Sequence, residues 1–343
     1  MIEAGTHTLP DGRAVGVVEI AGGGLRARVI TLGAALLNLR VPDAGGTVAD
    51  LALGHRELAG YVGDAAHLGV AVGPVAGRVG GAVTIDGTPH PLDANDVPNT
   101  LHSGPACLHA VVWALHDRGA SHAELAVVHA GGFPGALAVR LRYTLADGAL
   151  RLDWTAAPTP VALTHHGYLH LDGHDAGSVR PLVVRSPCDT FVPIRPDSVP
   201  VGELAPVAGT PFDLRQPVTV GAILDADHSQ VARANGLDHD LLTALAPARQ
   251  LDLRPVLTVR GATRRLDIWT TEPAVHLYAG GYLGVNRGKG GARYDAHGGL
   301  AIETQPPPDA LAHDAFPDTV LWPGDTFRSA TVYGFAAAHP TSG

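Results

Sequence analysis

Three short segments carry residue types that acid/base chemistry needs. In Leu300-Ala301-Ile302-Glu303-Thr304-Gln305-Pro306 one carboxylate enters an apolar strand. On an edge strand facing water, Glu303 would do no chemistry. Partly desolvated, its pKa would rise and suit it to base work near neutral pH. The stretch from Leu163 to His174 holds His165, His166, His170 and His174. His166, His170 and His174, at i, i+4 and i+8, would make a metal face on a helix. However, Gly167 and Gly173 interrupt the segment and it alternates. On a strand, Thr164, His166, Tyr168, His170 and Asp172 share one face, opposite Leu163, Leu169 and Leu171. Such a strand suits the wall of a polar cleft. The third segment, Pro98 to Pro105, is a turn-rich loop presenting His102. Gly73–Val79 and Gly288–Gly291 invite a phosphate-cradle reading, but no Lys-Ser/Thr follows, so neither is a P-loop. The chain has no GxSxG elbow, no HExxH and no CxxC pair.

The elements that must position these residues are strands. Gly (43) and Pro (27) make about a fifth of the 343 residues, against roughly 12% in average usage. They leave little room for long helices. Val139, Leu141, Tyr143 and Leu145 alternate with polar residues up to Asp147-Gly148, and Leu150, Leu152 and Trp154 alternate on the return. This predicts a hairpin closed by a two-residue turn with positive φ. Asp86-Gly87 and Arg260-Gly261 repeat the signal. Helix candidates are confined to Arg56–Ala66 and Val218–Ala234, each two or three turns long. With no βαβ rhythm, no repeat and no linker, residues 1–343 are expected to form one domain. It is all-β, a large antiparallel β-sandwich with a few short helices.

Composition narrows the function classes. Lys+Arg total 24 against 33 Asp+Glu, giving a net charge of −9. That argues against a general nucleic-acid binder, which carries a basic stripe. Of the 24 cations, 23 are Arg and one is Lys, Lys289. Cys107 and Cys188 lie far apart, which indicates neither a zinc cluster nor a disulfide framework. No signal peptide and no run of ~18 apolar residues is present, so a cytoplasmic location off the membrane is the expectation. Most of the 19 histidines read as surface or satisfied core residues.

Taken in order, the segments resemble the galactose mutarotase (aldose 1-epimerase) family almost end to end. Gly73–Val79 is similar to G-R-x-A-N-R-I, and Asn99–Gly104 to N-x-L-H-G-G, with Val112-Trp113 following. Leu163–Leu171 is similar to L-T-N-H-x-Y-F-N-L, and Leu237–Asp240 to L-D-H-N. Thr270–Pro273 with Tyr278, Gly288–Gly291, and Ile302–Gln305 match T-T-x-P-x-x-x-x-Y, G-K-x-G and L-E-T-Q. Phe316-Pro317 and Leu321-Trp322-Pro323-Gly324 close the series. The resemblance implies a β-sandwich that interconverts the α and β anomers of a free monosaccharide. It implies Glu303 as the base on the anomeric hydroxyl and His166 as the acid on the ring oxygen. Arg78, His102 and Asp238 would hold the sugar, together with Tyr168 and His276. No cofactor and no metal are implied. Opening a hemiacetal needs one proton removed and one delivered, at two oxygens on the same carbon, and a carboxylate and an imidazole supply both.

The chain departs from the family pattern at five positions. Pro74 stands where the family has its first Arg, Gly77 and His165 where it has Asn, His276 where it has Gln, and Gly281 where it has Asn. The acid/base pair is kept while several sugar-holding positions differ. Three other readings are weighed. A non-catalytic carbohydrate binder has no need of the pair. A sugar-phosphate mutarotase needs an Arg cluster at the far end of the sugar. A metal hydrolase needs the His cluster to converge.

Overall fold

The computed structural model describes residues 2–105, 107–157, 159–242 and 252–338. Three antiparallel sheets dominate. The largest has nine strands, with His122–His129, Leu137–Ala146, Ala149–Ala157, Phe327–Ala337, Arg264–Thr270 and Arg254–Arg260 side by side. A five-stranded sheet takes the N-terminal stretch, Gly5–Thr8 to Val48–Asp50. A six-stranded sheet runs Tyr168–Leu169, Leu300–Gln305, Ala274–Tyr278, Asp238–Leu242, Thr190–Phe191, Ala205–Pro206.

The alternating stretches fold as their pattern requires. Leu141, Tyr143, Leu152 and Trp154 point inward, and Leu145 pairs with Leu150 across Asp147-Gly148, both at positive φ. The turn at Asp86-Gly87 joins Ala82–Ile85 to Thr88–Pro91 in the same way. Beyond Arg260-Gly261, Val259 pairs with Leu266 and Leu257 with Ile268. The inward residues of all three sheets meet in one core that includes Val29 and Leu39, Leu141 and Trp154, and Leu277 and Ile302.

The helix expectations shrink. Within Arg56–Ala66 the chain forms one 3-10 turn, Leu58–Tyr61. Asp64 caps a further turn, accepting from the Ala66 and Leu68 amides at 3.1 and 2.8 Å. Within Val218–Ala234 two five-residue helices form, Val220–Leu224 and Ser229–Arg233. Each has its own N-cap, Thr219 Oγ on the Ala222 amide and His228 Nδ1 on the Gln230 amide, and the Asp225–His228 connection separates them. Among the described residues, no helix is long and apolar enough to cross a membrane.

Candidate active site

The six-stranded sheet lays the floor of a cleft. Across three neighbouring strands, Asp240 pairs with His276 and His276 with Glu303. One pleat away, Asp238 pairs with Tyr278, Tyr278 with Ala301, and Ala301 with Tyr168. Directly paired residues project from the same face, so two parallel rows of polar side chains stand on one surface. Alternation puts Asp238 with Asp240, and His276 with Tyr278, on that surface.

The walls come from elsewhere. His166 ends the short strand Thr164–His166, which pairs with Val70–Val72. His102 follows Thr100–Leu101, paired with Arg78–Val79. His102 and Ser103 both take left-handed backbone, φ 52° and 68°, a strained state for side-chain-bearing residues. It is held by Ser103 Oγ, which bonds the Val75 amide and carbonyl at 2.7 and 2.9 Å. All seven residues singled out from sequence line this one cleft, of about 210 Å³. Pockets for drug-sized ligands run ~300–1,000 Å³, so the space suits one sugar ring.

His166 Nε2 lies 3.4 Å from Glu303 Oε1. Glu303 is 2% exposed. Burial pushes its carboxyl up to about 8, against a smaller opposing pull from His276. Burial, helped by neighbouring His67 and His276, holds His166 well below the usual imidazole value. Both groups therefore favour their neutral forms. His276 behaves oppositely. Burial disfavours its charge, but Asp240 and Asp238 outweigh it and raise His276 well above the ordinary value. Its Nε2 is 2.8 Å from Asp238 Oδ1 and its Nδ1 3.2 Å from Asp240 Oδ2. His276 thus stays charged near neutrality rather than titrating there. Arg78 donates from Nε to Asp96 at 2.6 Å, and its Nη1 lies 3.9 Å from Asp238. The cations of the cleft are matched by carboxylates. Buried His102 is held well below its ordinary pKa, chiefly by desolvation. Its Nδ1 accepts the Gly77 N–H at 3.1 Å, which leaves the ring proton on Nε2 as a donor.

The one-faced strand expected at 164–172 is not what forms. Gly167 separates Thr164–His166 from Tyr168–Leu169, which pair with different strands. His166 and Tyr168 line the cleft. His170 bonds the Ser178 carbonyl, His174 the Tyr294 hydroxyl, and Asp172 the Ala262 amide. His166, His170 and His174 therefore serve three separate places and do not converge.

Sequence reasoning missed His67. Its ring lines the cleft and stands edge-on to His102 and His109, at centroid distances of 4.9 and 4.5 Å. Its own backbone is left-handed, φ 55°. No spacing rule links residues 67, 102, 109 and 166; only the fold brings them together. Asp240 was within reach, because 238 and 240 alternate on one strand.

Two departures have steric causes. Gly77 has φ 75°, and a Cβ there would sit 2.3 Å from Pro308 Cγ. At Gly281 a Cβ would meet the Asn235 carbonyl at 2.4 Å, and Asn235 Nδ2 donates to the Gly281 carbonyl at 2.9 Å.

Comparison with known proteins shows the family. The family model for aldose 1-epimerase matches residues 16–334. Human galactose mutarotase is 35% identical over 321 residues, 92% of each chain. The aldose 1-epimerase of Escherichia coli K12 is 31% identical over 342 residues, covering 96% of this chain and 97% of its own. Among solved structures, the aldose epimerase homologue of C. elegans superposes with a TM-score of 0.86 at 30% identity, covering 95% of this chain and all of its own. With a buried carboxyl facing an imidazole in a cleft sized for one sugar ring, and with these matches along nearly its whole length, the chain belongs to the aldose 1-epimerase family.

Proposed function

We propose that this isomerase interconverts the α and β anomers of free aldoses such as glucose and galactose, with Glu303 and His166 as the proton-transfer pair. The observation that carries the reading is their 3.4 Å approach in a buried site. The opening step starts from the tautomer in which the pair's one proton has passed from Glu303 to His166, and in it Glu303 takes the proton of the anomeric hydroxyl. The electron pair of the broken O1–H bond forms the carbonyl, the bond from C1 to the ring oxygen breaks with its pair going to that oxygen, and His166 delivers a proton there. Rotation about C1–C2 turns the carbonyl over. His166 then takes back the hydroxyl proton, the oxygen attacks the other face of C1, and Glu303 returns its proton to O1. The pair carries one proton throughout. Ring opening leaves a protonated carboxyl and a neutral imidazole, the forms that burial favours at these positions. The site therefore stabilises the open-chain stage. The 3.4 Å spacing is long for a hydrogen bond, as catalytic contacts often are before substrate binds.

Sugar-holding roles fall to His102 Nε2–H, Arg78, Asp238, charged His276 and the Tyr168 phenol. With the cations of the cleft already paired to carboxylates, the site favours a neutral sugar over a sugar phosphate. A pure binder would not need a partly protonated carboxyl beside an imidazole. The chain is proposed to work as one unit in the cytoplasm, with no cofactor. Polarimetry of freshly dissolved α-glucose, α-galactose and several pentoses tests the activity. Enzyme should speed the drift to equilibrium rotation, and a drift equal to that of buffer alone would remove the reading.

A further inference from the structure

A second cleft, of about 630 Å³, opens beside the five-stranded sheet and shares no lining residue with the first. Asn38, Arg40 and Asp50 come from the paired strands Ala35–Pro42 and Val48–Asp50. Arg56, His174 and Lys289 close around them. In a chain of net charge −9, its three Arg and Lys side chains face a single lining carboxylate.

Several polar groups here are not satisfied by the protein. Lys289 is the one lysine of the chain. Its ammonium donates to Asp50 Oδ2 at 2.6 Å and to the Leu37 carbonyl at 3.0 Å, so one of its three N–H donors remains. The Arg56 side chain makes no ion pair or hydrogen bond among the described residues. Asn38 lines the cleft, and its side-chain amide makes no hydrogen bond among the described residues, while its polar atoms are not shut off from solvent. His174 uses Nδ1 on the Tyr294 hydroxyl, which leaves Nε2.

We propose that this cleft binds a phosphorylated monosaccharide. Arg56 and the spare Lys289 N–H meet the phosphate, because a guanidinium matches its oxygens bidentately and an ammonium adds a point charge. Asn38 and His174 meet the hydroxyls, which both donate and accept as an amide and an imidazole do. The volume lies within the ~300–1,000 Å³ usual for small-molecule sites. Tyr61, the one tyrosine of the lining, is buried in the core beneath, so there is no exposed aromatic platform for a nucleotide base.

The proposal does not rest on the mutarotase reading. Its test is calorimetric titration of the full chain with glucose 6-phosphate, galactose 6-phosphate and inorganic phosphate. One equivalent of sugar phosphate should bind, and saturating free galactose should not displace it. Arg56→Ala, at an exposed side chain, should weaken binding at least ten-fold. Asn38→Ala should weaken sugar phosphate but leave inorganic phosphate unchanged. Glu303→Gln should leave the Kd unchanged. Absence of binding at millimolar ligand overturns the proposal. So does displacement by galactose, or loss in Glu303→Gln, either of which would place the ligand in the first cleft. Inorganic phosphate binding as tightly as the sugar phosphates overturns the hydroxyl contacts and with them the ligand class.

Discussion

His166 Nε2 and Glu303 Oε1 face each other at 3.4 Å, with both side chains nearly closed to solvent. The two groups reach this position from different sheets, and burial shifts both toward neutrality. Near neutral pH they hold one proton between them, which sits on the carboxyl because its pKa is about 8 while that of His166 is well below 6.5.

The pH profile has a definite sign. Raising pH through about 8 strips the shared proton, leaving nothing to deliver to the ring oxygen, so activity falls. Lowering pH far below 6.5 adds a second proton, leaving no base. A plot of kcat/KM against pH should be a bell whose alkaline limb belongs to a carboxyl. An enzyme still fully active well above pH 8 would contradict this.

Gly77→Asn looks from sequence like a restoration of a family contact, expected to lower KM at constant kcat. The structure reverses that expectation. With φ 75° and Pro308 Cγ 2.3 Å from the new Cβ, the change strains the backbone and must displace Pro308, itself a lining residue of the cleft. Strain of this kind costs on the order of 1–3 kcal/mol. Thermal denaturation should show a lower Tm, and KM for glucose should rise. A lower KM with unchanged Tm would refute the steric account.

Asp238→Asn should act on sugar binding more than on chemistry. Asp238 holds charged His276 at 2.8 Å, and a hydrogen bond to a charged group is worth about 1.5–3 kcal/mol. KM should rise roughly 10- to 100-fold, with kcat reduced far less. Steady-state kinetics on galactose decide. A fall in kcat at constant KM would move Asp238 into the proton-transfer machinery.

Glu272 offers a stability test away from the cleft. Burial raises its pKa from 4.5 to about 7. A group whose folded pKa exceeds its unfolded value contributes stability that is complete below pH 4.5 and is lost as pH rises through 7. Glu272→Gln removes that loss and should raise stability at pH 8 by up to about 3 kcal/mol. At about pH 4, below both pKa values, there should be little change. Urea denaturation at the two pH values measures the difference, and equal effects at both would contradict it.

Much of this was legible in the chain because β alternation is local. The hairpins at Asp147-Gly148 and Asp86-Gly87 need only a period of two and a turn that accepts positive φ. The seven residues that the resemblance picks out, all of which line the cleft, were legible through short motifs in a fixed order. What stayed hidden depends on contacts far apart in sequence. Nothing near Gly77 announces Pro308, and nothing near His67 announces His102 and His166. The break at Gly167 is equally non-local. Thr164–His166 and Tyr168–Leu169 look like one strand until Val70–Val72 and Leu300–Gln305 claim them separately. The single lysine stands out within Gly288–Gly291, but nothing near it announces its partners Asp50 and Leu37, more than two hundred residues away in sequence.

The most direct test of the central claim is the mutarotation rate of Glu303→Gln on α-galactose at about pH 7, followed by polarimetry beside calorimetric galactose binding. Gln keeps the shape and cannot exchange the proton. General acid/base groups contribute ~10²–10⁴-fold each, so kcat should fall at least about 100-fold while the sugar still binds. A variant that keeps more than about a tenth of the wild-type kcat would contradict the assignment of Glu303 to the proton-transfer pair.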